Sequence, residues 1–171
     1  KLAAQLNGRT LILRALEAVP AEQFDSVVVV TQYPEVMRLV KDFHFSAVYN
    51  EHPDYGISHT IELGLTSLRD CGGVLFLVSD QPLLRRESVA ELVRFWKAQP
   101  DKIAALGHNG VRGNPCLFPA RFFPELLELR EDHGGNTVIR RHEDDLVLLE
   151  VDGQELTDVD TPQALKEISG R

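Results

Sequence analysis

The sequence predicts an α/β fold: a mostly parallel central sheet flanked by helices on both faces. Short β-branched or apolar runs, suited to buried strands, alternate along the chain with segments whose apolar residues recur at helical spacing. Prolines stand where several of those helical segments begin or end. An aspartate, Asp80, follows the apolar run "GGVLFLV" (72–78), and open α/β sheets bind ligands beyond the carboxyl ends of their strands.

The elements follow in order. "TLILRALEAV" (10–19) reads as a first helix stopped before Pro20, and "SVVVVT" (26–31) as a buried strand. Pro34 opens a helix over "PEVMRLVKDF", and "SAVYN" (46–50) is a short strand. Ile61, Leu65 and Leu68 form the apolar stripe of a helix over 58–68, with Ser58 near its cap. "VLFLV" (74–78) is a strand, followed by a helix over 87–97 that ends before Pro100 and a strand "KIAAL" (102–106). A glycine-rich turn over 107–113 leads into "CLFP" (116–119), and short helices are expected near 122–129 and 136–141. The strand "LVLLEV" (146–151) and the helix "TPQALKEI" (161–168) close the chain.

Bulk properties narrow the function classes. At 171 residues, with 43% apolar and 26% charged residues, the chain is expected to form one globular domain over 1–171. A net charge of −8 without a basic tract argues against nucleic acid or an acidic membrane surface as partner. Two cysteines, Cys71 and Cys116, lack metal-site spacing and read as free thiols in a reducing cytoplasm. No apolar run approaches the roughly 20 residues of a spanning helix, and no signal peptide is evident. Nothing marks a dimer face, so a monomer is expected.

The chemistry-bearing residues cluster in short stretches. Asp80 in "SDQP" (79–82) is either a turn or capping residue, or a magnesium ligand offering a hard oxygen to a phosphate-bearing substrate. In "TDVDTP" (157–162), Asp158 or Asp160 either caps the last helix or meets Asp80 across the sheet edge, where paired carboxylates would hold a divalent ion over a triphosphate. Asp160 is the preferred second ligand, while Asp158 holds the loop or reaches the ion through water. "NEHPDYGISHT" (50–60) is a tight surface loop or, through Gly56 and the amides near Ser58 and Thr60, an anion-binding helix start. His52 and His59 lack a third ligand for zinc, and His59 is read as a surface or substrate-contacting residue. In "NGVRGNP" (109–115), Arg112 is solvated in a hairpin-like turn or grips a phosphate or base edge. "DHGGNT" (132–137) is a flexible turn or an acceptor-side lid.

Taken together, these stretches resemble the molybdenum cofactor cytidylyltransferases and their MobA-like nucleotidyltransferase relatives. The resemblance covers essentially the whole chain. It rests on Lys1-Leu2 with Leu6-Asn7-Gly8, on Asn50, Pro53, Tyr55-Gly56 and the Ser58 to Thr60 helix start, and on Asp80-Gln81-Pro82-Leu83. Arg112-Gly113-Asn114-Pro115, Gly134-Gly135 and Asp158-Val159-Asp160-Thr161-Pro162 complete it.

The resemblance implies a three-layer Rossmann-like nucleotidyltransferase fold and transfer of CMP from CTP to the terminal phosphate of molybdopterin or molybdenum cofactor, releasing pyrophosphate. Asp80 and Asp160, with Asp158, would hold Mg²⁺; Lys1 would contact the triphosphate; Asn50, Gly56, Ser58, Thr60, Arg112, Gly113, Gly134 and Gly135 would line the substrate sites. A recipient molybdoenzyme is the implied protein partner. The family's first strand and glycine-rich phosphate loop would precede Lys1 and are absent from the chain as it stands; their omission or disorder is expected rather than their loss. The alternatives are a GTP-dependent guanylyltransferase, a nucleotidyltransferase for another phosphorylated acceptor such as a sugar phosphate, and a non-catalytic cofactor-binding insertion adaptor.

Overall fold

The computed structural model describes residues 4–68 and 70–169. At its start, β1 (Gln5–Leu6) and β2 (Arg9–Thr10) form a small hairpin through Asn7 and Gly8, both at positive φ (52° and 77°). That pair of left-handed residues is what a two-residue hairpin turn requires, and Asn-Gly meets it at little cost. Thr10 then caps α1 (Leu11–Glu17), its Oγ1 accepting the Leu13 amide at 3.3 Å.

The β-branched run gives β3 (Val28–Thr31), Pro34 occupies the first turn of α2 (Pro34–Asp42), and β4 (Ser46–Tyr49) returns parallel to β3. Val36 and Val40, four apart on α2, are buried with Leu16 of α1 against Val29 and Ala47 of this pair. α3 (Ile57–Ser67) follows, then β5 (Gly73–Phe76), α4 (Arg86–Lys97) and β6 (Ile103–His108). β7 (Val111–Pro119), α5 (Phe123–Leu127), α6 (Gly135–Arg141), β8 (Leu146–Glu150) and α7 (Pro162–Ser169) complete the order.

The four-stranded sheet runs β5-β7-β6-β8. Its β6/β8 ladder is parallel, whereas β7 is antiparallel to both β5 and β6. Thus β5, β6 and β8 point one way and β7 runs against them, where the sequence predicts a turn over 107–113 leading into 116–119. The cause is local: Asn109 (φ 51°) and Gly110 (φ 75°) form a second Asn-Gly turn, which folds β7 straight back on β6.

Because both faces of this sheet are covered, β6 is apolar on both. Ile103 and Ala105 join Cys116 and Phe118 of β7 in a core closed by Ile61 and Leu65 of α3, Leu126 of α5 and Val138 of α6. Ala104, Leu106 and Leu117 face the opposite core, formed with Val89, Leu92 and Val93 of α4. The result is three layers, helix, sheet and helix, with the loops that follow the two outer strands, β5 and β8, meeting beyond the carboxyl end of the sheet. Among the described residues, no helix is long and apolar enough to cross a membrane.

Candidate active site

β5 ends at Phe76, so Asp80 lies on the loop beyond it. The backbone carbonyl of Asp80 accepts the amide of Val159 at 2.8 Å. Val159 is buried while its neighbours Asp158 and Asp160 are exposed, so this bond sets an aspartate on either side of a residue anchored to the Asp80 loop. Two further contacts join the same segments: Gln81 Nε2 donates to the Leu156 carbonyl at 3.3 Å, and Glu155 accepts both the backbone amide and the Nε of Arg85, at 3.1 and 2.8 Å.

Hard carboxylate oxygens on two adjoining loops suit Mg²⁺ or Mn²⁺, which are held by one or two protein carboxylates and completed by water and substrate phosphates. Among the described residues, no cluster of three or more His, Cys, Asp and Glu side chains is placed to hold a metal by itself. One or two carboxylates there would leave the remaining positions of such an ion to water or other oxygens. Lys1 lies outside the described residues.

Arg112, Gly113 and Asp158 line one cleft of about 470 Å³, together with Gln81 and Asn114. Arg112 is held at its rim: Nη2 donates to Asn136 Oδ1 at 2.8 Å, and Nη1 lies 3.3 Å from the Cys116 sulfur. Burial pushes the Cys116 thiol above its ordinary pKa, and the Arg112 guanidinium opposes that shift only in part. Gly113 packs against Leu156, whose Cδ1 would stand 2.9 Å from an added Cβ.

The stretch 50–60 makes a second group. Asn50 is 4% exposed; its Oδ1 accepts the His52 amide at 2.9 Å and its Nδ2 donates to Thr60 Oγ1 at 3.3 Å. The side chains of Asn50 and Thr60 thus brace the loop on the helix it enters. Gly56 (φ 85°, ψ −174°) precedes α3, and an added Cβ would meet the Glu131 carbonyl at 2.4 Å. The Ser58 amide donates to that same carbonyl at 3.0 Å, so one amide of the helix start already has a protein partner.

Gly134 lies near Ile57, and Gly135, the first residue of α6, leaves only 2.9 Å between an added Cβ and Phe118 Cζ. Gly56 and Ser58 line a separate cleft with His59, Arg130 and Asp132. His52 and Tyr55 stack with ring centroids 4.7 Å apart, and His59 Nδ1 is 3.3 Å from Glu62 Oε2.

Sequence reasoning did not single out Asn136, Arg85 or Glu155. Asn136 sits inside the quoted "DHGGNT", where an amide after two glycines was the available signal. Arg85 and Glu155 are 70 positions apart and carry no local signal of their pairing.

A central sheet flanked by helices on both faces gives the chain an α/β fold of the nucleotidyltransferase type. Residues 1–146 match the family described as the MobA-like NTP transferase domain, and the chain belongs to that family.

Solved structures agree on the fold. A nucleotidyl transferase from Methanothermobacter thermautotroptrophicus (Mth528) superposes with a TM-score of 0.81 at 20% identity, over 99% of this chain and 83% of that one. Rv0371C of Mycobacterium tuberculosis H37Rv, in complex with manganese, gives 0.79 at 21% identity over 99% and 91%. The molybdopterin-guanine dinucleotide biosynthesis protein A of Archaeoglobus fulgidus gives 0.66 at 17% identity over 99% and 89%. No curated protein sequence matches the chain.

Proposed function

We propose that the protein transfers a nucleotidyl group from a nucleoside triphosphate to the phosphate of a small-molecule acceptor, releasing pyrophosphate. The observation that carries this reading is the Val159-to-Asp80 hydrogen bond of 2.8 Å, which joins the two carboxylate-bearing loops. An acceptor phosphate oxygen bonds to the α-phosphorus as the bond from that phosphorus to the bridging oxygen breaks, and pyrophosphate leaves with the electron pair.

The nucleophile is already an anion, so the chain needs no covalent residue and acts by positioning and charge neutralisation. Asp80 and Asp160 would hold a divalent cation, with Asp158 supporting the loop or reaching it through water. That ion, when bound, supplies positive charge against the phosphate oxygens. Arg112, held by Asn136 in the cleft that Asp158 also lines, offers a planar donor pair to a phosphate or a base edge. Lys1 would contact the triphosphate as a point charge, and Asn50, Thr60 and the glycines at 56, 113, 134 and 135 shape the loops around the substrates. The manganese complex of Rv0371C supports a divalent-ion reading.

Within this class, the resemblance of "DQP" and "RGNP" to the cytidylyltransferase branch favours CTP as donor and molybdopterin or molybdenum cofactor as acceptor. GTP is the second reading, favoured by the likeness to the Archaeoglobus protein named for molybdopterin-guanine dinucleotide synthesis. The deciding experiment is metal-dependent pyrophosphate release by the intact protein with molybdopterin, CTP and GTP being compared side by side. Release with CTP supports cytidylyl transfer, and preference for GTP moves the protein to the guanylyl branch. Release with a different phosphorylated acceptor keeps the reaction and replaces molybdopterin. Binding without any release supports the insertion-adaptor alternative.

A further inference from the structure

The joint between the Asp80 loop and the 153–160 segment contains a buried carboxylate that belongs to none of the roles above. Glu155 is 3% exposed. Arg85 surrounds it, with the backbone amide on Oε2 at 3.1 Å, Nε on Oε1 at 2.8 Å and Nη2 on Oε1 at 2.6 Å. The rest of the arginine faces solvent, its side chain being 63% exposed. Three donors from one residue hold this carboxylate, which gives the joint a directional geometry that an apolar contact would not.

Gln81 reinforces the joint less than its side chain could. Its Nε2 reaches the Leu156 carbonyl at 3.3 Å, while its Oε1 is buried without a partner. The Glu155–Arg85 pair and the Val159 amide are thus direct ties between the two segments.

We infer that Glu155 is a positioning residue that acts through Arg85: the pair fixes the segment bearing Asp158 and Asp160 against the loop bearing Asp80, and so sets the affinity of that edge for a divalent cation. This rests on the proposed cation role of those aspartates. Arg85 compensates the Glu155 charge, so Glu155 orders the site without competing for the ion. Residues behind a metal's direct ligands commonly change affinity by about 10- to 100-fold when removed.

The test is binding of Mn²⁺ alone to the intact protein, followed by the paramagnetic resonance of the free ion, in the wild type and in Asp80→Asn, Glu155→Gln and Arg85→Lys. Glu155→Gln is expected to weaken Mn²⁺ binding by about 10-fold and Arg85→Lys, which keeps the charge but loses the fork, by a smaller factor. The metal concentration for half-maximal pyrophosphate release should rise in parallel, with turnover largely recovered at saturating metal. A purely structural role would instead lower thermal stability and saturating turnover without moving Mn²⁺ affinity. Unchanged Mn²⁺ affinity in both variants, while Asp80→Asn has lost it, overturns the inference alone. Wild-type affinity in Asp80→Asn overturns the underlying cation reading. If Glu155→Gln does not fold, Arg85→Lys decides, because its altered side chain lies mostly in solvent.

Discussion

The backbone amide of Val159 donates to the carbonyl of Asp80 across 2.8 Å, joining loops from distant parts of the chain. The bond is made by backbone atoms on both sides, so it does not itself depend on the carboxylate of Asp80, Asp158 or Asp160.

Asp160→Asn and Asp80→Asn are each expected to lower metal-dependent turnover by roughly 100-fold, which corresponds to about 3 kcal/mol of lost charge stabilisation in the transition state. Asp158→Asn should cost less, because its proposed role is to hold the loop or reach the ion through water. Single-turnover kinetics at several metal concentrations measure this. Undiminished turnover in Asp160→Asn would move the second ligand elsewhere.

Arg112 spans Asn136 Oδ1 at 2.8 Å and the Cys116 sulfur at 3.3 Å, a geometry a lysine cannot reproduce. Arg112→Lys is expected to lower kcat/KM by about tenfold, the equivalent of one charge-assisted hydrogen bond of about 1.5 kcal/mol, with little change in unfolding. Kinetics as wild type would take Arg112 out of substrate contact.

Gly56 combines φ 85° and ψ −174° with the Glu131 carbonyl 2.4 Å from where a Cβ would stand. Gly56→Ala should destabilise the fold by about 1–3 kcal/mol through backbone strain and displacement of the 131 loop. Urea denaturation provides the check; an unchanged midpoint would mean that the loop yields freely.

Asp145 is paired with Arg121 at 2.9 Å and Lys102 at 3.2 Å, and these donors, Arg121 first, hold its carboxyl below the usual carboxylate range. A depressed carboxyl contributes stability above its unfolded pKa of about 4 and loses it as pH falls through the lower folded value. Asp145→Asn should therefore be less stable than wild type near neutrality, with the difference closing below about pH 4. Denaturation midpoints across that range test it, and a pH-independent gap would assign the effect to packing.

Much of the element order was legible because its signals are local. Ile61 and Leu65 lie one helical turn apart, Pro34 opens a helix, and β-branched residues at 28–30 mark a strand; each is where the sequence placed it. The hairpin at 5–10 and the strand β7 were not anticipated, although Asn7-Gly8 and Asn109-Gly110 carried the signal for both turns.

At the candidate site, the sequence alone offered the acidic stretches around Asp80 and Asp158–Asp160 and the glycine-flanked Arg112 as candidates, because residue type and turn chemistry are written locally. Only the tertiary structure decided that β7 separates β5 from β6, that Glu131 takes the Ser58 amide, and that Arg85 closes on Glu155. Those pairings follow from strand order and burial across distant parts of the chain. Nothing in the neighbourhood of either partner favours them until the sheet has assembled and excluded water from between them.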